Sequence, residues 1–354
     1  IRPDGGWTFG SPSVLMMFYR APGELAQELS EMDECMPHYY RITGNHGQGA
    51  ETIMRAEAAY MHGRFTDAHI ELERAYAQIE GNGQVNMGLC CDFLAWRLSL
   101  FADMEERYSL EARYTELLRY HDASWINIWT ATSAYYHALR GDVGQIPGIF
   151  ARHRLSDINM LAPGRPMMEM IENQVYLAEG AYAKLIARSG ELLALCEAMH
   201  YALVALHIRI QTAIAYEQLG KTEEAHSCLA RALSDAAPDG FAMPFVENFQ
   251  LLRPMLSREI VTPLIEQILA LGDAATARHA AGRRPAVFEV LTEREFEIVQ
   301  RMAERLSNRE IAAQLFLSEG SVKQYVNQIY AKLHIEGDTR TKRAQLAKLL
   351  GQQT

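Results

Sequence analysis

Lys323, Gln324 and Asn327, with Gly320, Gln328 and Ala331 beside them, are the residues of this 354-residue chain whose types and spacing best suit chemistry. At 100° per residue they share one side of a helix, with Lys323 on its flank. That side offers amides, an ammonium and small residues, but no carboxylate and no large hydrophobe. Amides hydrogen-bond adenine bidentately, a lysine reaches guanine or a phosphate, and small residues permit close approach. The face therefore suits base edges in a DNA major groove.

Such a face works only if something holds it. On the opposite side Val322, Val326, Ile329 and Leu333 fall within a narrow arc and can be buried together. Ser318 can cap the start of this helix, and two further helix starts precede it: Thr292 with Glu295 as a T-x-x-E capping box, and Ser307 with Glu310 as an S-x-x-E one. The link Leu315-Phe316-Leu317-Ser318 has the length of a helix-turn-helix connection. Three helices between Leu291 and Leu333 predict a trihelical core.

Charge is segregated in the same way. The chain carries a formal net charge of −10, yet from Arg301 onward nine basic residues face five acidic ones, so this tail is +4 and the rest −14. A basic module on an acidic body is the expected layout of a nucleic-acid binder with a separate sensory part.

Leu291-Thr292-x-Arg294-Glu295, then Leu306-Ser307-Asn308-Arg309-Glu310-Ile311-Ala312, then Ser321-Val322-Lys323 and Ile329-Tyr330-x-Lys332-Leu333 closely resemble the LuxR/GerE-type DNA-binding domain. The resemblance covers about one fifth of the chain. It implies that Lys323, Gln324 and Asn327 face the groove, and that Ser307, Asn308, Arg309, Ser318, Ser321 and Lys332 lie near phosphates, where contacts position without specifying sequence. Arg305, Tyr325 and Gln324 depart from the residues common in the family, which leaves the operator sequence open, and the tail from Glu336 to Thr341 is slightly longer than usual. In this family the last helix, here about Thr341 to Leu350, commonly pairs two domains. Its Leu346, Leu349 and Leu350 serve that role or intramolecular packing equally well.

Upstream, the turns mark a repeat. Gly63, Gly141, Gly180 and Gly220 each close a helix, 39 or 40 residues apart or twice that between Gly63 and Gly141, with Ala102 midway. A fixed period in this range signals stacked helical pairs. Gly63-Arg64-Phe65 with Ala68, Leu72 and Ala75, and Gly220-Lys221-Thr222 with Ala225, Leu229 and Ala232, resemble the tetratricopeptide pattern, although the period exceeds its usual 34 or so. This region resembles the superhelical sensor of large ATP-dependent LuxR-type regulators, the maltose-regulon activator class. That class implies an upstream ATPase module, which these residues do not supply; the chain starts at Ile1 and fits either a fragment or a stand-alone regulator.

The predicted fold is all-α: a helical cap over 1–50, a tetratricopeptide-like repeat domain over 51–271, an Ala/Gly/Arg linker over 272–287 and a helix-turn-helix domain over 288–354. Within the linker, Arg283 and Arg284 are candidates for phosphate contact or plain solvation. Other motifs fail on physical grounds. Ala215-Tyr216-Glu217-Gln218-Leu219-Gly220-Lys221-Thr222 approaches a phosphate loop in letters only, because it lies in a helical pattern and Glu217 repels phosphate. Gly44-Asn45-His46-Gly47-Gln48-Gly49 lacks the Lys-Ser/Thr that such a loop needs and reads as a plain loop.

Trp96, Trp125, Trp129 and Tyr136 read as packing between helices or as an aromatic platform for a small organic effector. The five cysteines and twelve histidines have no metal-ligand spacing, no catalytic constellation is present, and neither cofactor nor enzymatic activity is implied. No apolar run approaches the 18 or so residues that cross a bilayer, so the expectation is a cytoplasmic protein with no membrane contact. The reading is a transcriptional regulator, homodimeric on double-stranded DNA, whose repeat domain takes a small-molecule effector or a protein partner. The alternative is a tetratricopeptide-like adaptor with an accessory DNA-binding module.

Overall fold

The computed structural model describes residues 10–349 apart from 81–83, 103, 159–160, 283–285, 289, 304–305, 316, 336, 339–340, 343–344 and 347–348, with the backbone alone at 279–282, 286 and 293. Among the described residues every regular element is helical. The chain divides into two compact units between Ala277 and Arg278.

The first unit opens with α1 (Val14–Phe18) and α2 (Leu25–Thr43) and continues as successive helices: α3 (Ala50–Met61) packed with α4 (Phe65–Ile79), α5 (Val85–Ala102) followed by α6 (Leu110–Leu117), α7 (Ala123–Arg140) followed by the short α8 (Gly148–Ala151), α9 (Arg165–Ala178) packed with α7 and with α10 (Tyr182–Met199), and α11 (Ala202–Gln218) packed with α12 (Thr222–Ala236). Two short helices, α13 (Met243–Val246) and α14 (Phe249–Leu256), then lead into α15 (Pro263–Gly282). The turn glycines Gly63, Gly141, Gly180 and Gly220 adopt left-handed φ values of 71° to 75°, where a side chain would be strained. The small residues work as their spacing predicts: Ala68, Leu72 and Ala75 of α4, and Ala225, Leu229 and Ala232 of α12, are all buried. Helical repeat followed by helix-turn-helix is thus the observed order.

Residues after α12 fold back onto the first pair. Ala242 donates its N–H to the Met61 carbonyl at 2.9 Å, and Gln267 Nε2 donates to the His62 carbonyl at 2.8 Å. At Gly63 a Cβ would stand 2.4 Å from Leu271 Cδ1, so the turn glycine also permits close approach of α15. The N-terminal segment bridges both ends of the array: Leu15 N–H donates to Glu57 at 2.7 Å, and the Tyr19 carbonyl accepts from Ala202 N–H at 3.2 Å.

Two expectations need correction. The stretch 272–282, read as a linker, continues α15 as helix. Alanine and arginine are strong helix formers, and Gly272 is there because a Cβ would stand 2.3 Å from the Phe249 ring. Arg283 and Arg284 lie outside the described residues. Helix α5 does have the length and composition to cross a bilayer, contrary to the expectation from the sequence, but 78% of that stretch is buried inside the unit. It is apolar all round because helices surround it.

This core also holds charge. Arg97 of α5 lies between Glu57 and Glu247, at 3.9 and 3.7 Å, and all three side chains are buried. Glu247 accepts from the Tyr60 hydroxyl at 2.8 Å and the Tyr135 hydroxyl at 2.5 Å, and His207 Nδ1 lies 3.9 Å from it. Burial pushes the His207 imidazole down to about 4 despite the neighbouring Glu247, and it raises the Glu57 carboxyl against the pull of Arg97.

Candidate nucleic-acid interface

The second unit contains α16 (Glu293–Ala303), α17 (Asn308–Gln314) and α18 (Glu319–Lys332). Each start is capped as its sequence predicts. The Thr292 N–H donates to Glu295 Oε2 at 2.7 Å, while the Glu295 N–H donates to Thr292 Oγ1 at 3.3 Å. Ser307 and Glu310 form the equivalent reciprocal box on α17. Ser318 accepts the Ser321 N–H at 3.0 Å and so opens α18. Together these side chains satisfy N–H groups that a helix start leaves without intrahelical partners.

Inside the unit, Val322, Val326 and Ile329 of α18 pack with Ile298, Val299, Ile311 and Ala312, and Leu333 is partly buried against the same core. Tyr330 joins this core too, which the arc drawn from sequence missed. The opposite side of α18 stays open: Gly320, Lys323, Gln324, Asn327, Gln328 and Ala331 are all exposed. The three residues expected to read bases therefore share one accessible face, backed by an apolar anchor. Arg294 fixes the neighbouring turn, donating from Nη2 to the Leu315 carbonyl at 2.5 Å and from Nη1 to Glu297 at 2.7 Å.

The residues expected near phosphates separate into two groups. Ser307, Arg309 and Ser318 are exposed and Asn308 and Ser321 half-buried at the starts of α17 and α18. Lys332 has a partner inside the unit: its Nζ donates to the buried Glu295 Oε2 at 2.7 Å. Burial alone would raise the Glu295 carboxyl, but the Lys332 ammonium and the Thr292 hydrogen bonds outweigh it and hold the group below its ordinary value. One lysine thus ties the end of α18 to the cap of α16, a role no local pattern reveals because the partners are 37 residues apart.

Arg305, Phe316, Glu336 and Leu350, singled out in the sequence, lie outside the described residues. Of the last leucines, Leu346 is buried in the unit's own core and Leu349 packs against it. That places Leu346 in the intramolecular role.

Of the four aromatic residues singled out in the sequence, two are turned into the core and two are half-buried. Trp96 and Trp125 are buried, and Trp96 Nε1 donates to the Tyr108 carbonyl at 2.8 Å. Trp129 rests on Tyr114 with ring centroids 4.3 Å apart and donates to the Leu110 carbonyl at 3.0 Å, while the Tyr136 hydroxyl accepts from Arg140 at 3.1 Å. Of the i, i+4 pair, Trp125 is buried and Trp129 packs partly buried against the same cluster.

Residues 289–344 match the family model described as "Bacterial regulatory proteins, luxR family". Among characterised proteins, the chain is 30% identical over 108 residues to the nitrate/nitrite response regulator protein NarP of Escherichia coli (strain K12), covering 29% of this chain and 47% of that protein. It is 42% identical over 50 residues to the transcriptional regulatory protein LnrK of Bacillus subtilis (strain 168), covering 14% and 23%. It is 29% identical over 105 residues to the DNA-binding transcriptional activator DevR/DosR of Mycobacterium tuberculosis (strain ATCC 25618 / H37Rv), covering 30% and 48%. The chain thus spans less than half the length of each of these relatives. No solved structure matches the chain. The second unit carries a luxR-type helix-turn-helix domain.

Proposed function

We propose that this protein is a transcriptional regulator that binds double-stranded operator DNA through α18. The observation that carries the reading is the two-sided build of that helix: an exposed row of Lys323, Gln324 and Asn327 behind which Val322, Val326 and Ile329 are buried. A helix so anchored presents its donors and acceptors to base edges without paying to order them on binding. Ser307, Asn308, Arg309, Ser318 and Ser321 flank it at helix starts, where N–H groups and short side chains meet phosphates. Lys332 is better read as a tie to Glu295 than as a phosphate contact.

The repeat unit acts as the sensor, a tetratricopeptide-like array similar to that of the maltose-regulon activator class, taking an effector or a protein partner. Two chains pair on a two-fold operator with half-sites about one helical turn apart. Selection of duplexes from a random pool, followed by titration of the selected site, tests this. Gln324→Ala costs roughly 1–3 kcal/mol at one base position and relaxes preference there. Lys323→Ala weakens binding and its salt dependence. Absence of duplex binding at low salt by a dimeric sample sinks the reading and leaves the adaptor.

A further inference from the structure

Stacked helical repeats commonly leave one face of the row open as an extended binding surface. In the first unit that face is filled by the chain itself. The helices α3, α5, α7, α9 and α11 pack each on the next, and α1 packs on both α3 and α11, so it closes the row between its first and last members. Helix α13 packs on the same two helices. Glu247, directly after it, meets Tyr60 of α3, Arg97 of α5, Tyr135 of α7 and His207 of α11. The segments 11–19 and 241–247 thus lie where a groove would otherwise be.

Of the two, the segment 11–19 is held as a bound peptide is held. Ser11, Ser13, Val14, Leu15 and Met16 are fully buried. Its polar atoms are met from both ends of the row. The Leu15 N–H donates to Glu57 of α3 at 2.7 Å, and the Ser11 carbonyl accepts from Cys90 Sγ of α5 at 3.8 Å. At the other end the Tyr201 hydroxyl donates to Met17 Sδ at 3.4 Å, and Ala202 of α11 donates its N–H to the Tyr19 carbonyl at 3.2 Å. The Tyr19 ring stands 5.1 Å from Phe241 and its hydroxyl donates to Asp239. Asp239 also accepts the N–H groups of Gly23 and Leu25, so one carboxylate pins the turn that leads into α2.

A helix of five residues does not hold its shape alone, so α1 takes it from its surroundings. A short apolar helical segment laid into a helical groove is a recurring mode of peptide recognition.

We propose that the face between α3 and α11 is a peptide-binding site that the chain occupies with its own segment 11–19. The partner it fits is a protein segment of the same chemistry, small hydroxyl residues followed by one helical turn of apolar ones, which enters when 11–19 leaves. This rests on the reading of the unit as a sensor. The cost of ordering the segment offsets much of what its buried side chains contribute, so it opens locally while the rest of the unit stays folded.

A specific protease site placed between Ala21 and Pro22, in the turn before α2, tests this on the full chain. After cleavage the chain keeps its helicity by circular dichroism, and a fluorescent peptide of residues 10–21 replaces the cut segment at one per chain, read by anisotropy and gel filtration. The same peptide with Leu15→Asp binds at least about tenfold more weakly, because the buried leucine is lost. The uncut chain also takes up the peptide at least about tenfold more weakly, because the tethered segment competes at high effective concentration.

Any of three results overturns the proposal: no exchange in excess peptide, exchange only with loss of helicity, which makes 11–19 a permanent part of the core, or equal uptake by the uncut chain or of the Leu15→Asp peptide. Duplex binding measured on the same samples keeps the two readings apart. Exchange without DNA binding removes the regulator and keeps the peptide site; DNA binding without exchange does the reverse.

Discussion

Lys332 and His207 show what a single side chain can decide. Glu295 is 3% exposed while Lys332 is 40% exposed, so Lys332→Met leaves a nearly buried carboxylate unpaired. Because Lys332 is partly solvated, the cost falls toward the low end for such pairs, about 1–3 kcal/mol in urea unfolding of the second unit. The sign with pH follows from the depressed Glu295 carboxyl. The stabilisation is fully present above the ordinary carboxylate pKa of about 4.3 and is lost as pH falls through the lower folded value, so the gap between wild type and variant closes in acid.

His207 works by burial, with a folded pKa of about 4. Its neutral form is stable above an unfolded pKa of about 6.5, and stability is lost as pH falls from there toward 4. Compared with His207→Gln, wild type therefore loses up to about 3 kcal/mol between pH 7 and pH 4, read by denaturation at each pH. Using the difference cancels the opposite trend of Glu57, whose raised carboxyl favours low pH. Sequence displayed Lys323, Gln324 and Asn327 because solvent exposure follows helical period. It hid the Lys332 tie, because the partner lies 37 residues away in the chain, while for Trp96 and Trp125 it left packing as one of two readings.

At the scale of elements, caps and turns were legible and depth was not. The boxes at Thr292 and Ser307 and the cap at Ser318 are local chemistry, complete within four residues, and all form. Ser307→Ala therefore costs about 1 kcal/mol in thermal or urea unfolding of the second unit. The turn glycines look alike in sequence but differ in surroundings. Gly141 has nothing within 4 Å of a built Cβ, whereas Gly63 meets Leu271 at 2.4 Å. Gly141→Ala costs about 1 kcal/mol from the left-handed backbone, and Gly63→Ala costs that plus about 1–3 kcal/mol of overpacking, so Tm falls further in the latter. The stretch 272–282 misled for a related reason. Its lost apolar period resembled a linker, while its alanines were extending α15.

For the whole molecule, charge is the property that reaches furthest. A chain of net −10 whose last part is +4 concentrates attraction for phosphate in one unit. Binding to a selected duplex then rests on counterion release, and affinity falls at least about tenfold between 50 and 200 mM salt. A flat salt series on a selected site contradicts that. The division between Ala277 and Arg278 also predicts two unfolding transitions, with Lys332→Met lowering only the one that belongs to the second unit.

By itself the sequence determined that the chain is helical, that pairs of helices repeat, and that the last part builds a trihelical core with Lys323, Gln324 and Asn327 outward. These follow from period, caps and turn glycines, which act over a few residues. The tertiary structure alone decided that Lys332 serves Glu295, that Leu346 is spent on its own core, that Trp96 and Trp125 are packing, and that Arg97 meets Glu57 and Glu247 in the interior. Those outcomes depend on which residues from distant helices meet. Burial, charge pairing and hydrogen-bond satisfaction are properties of the meeting, not of any one stretch of chain.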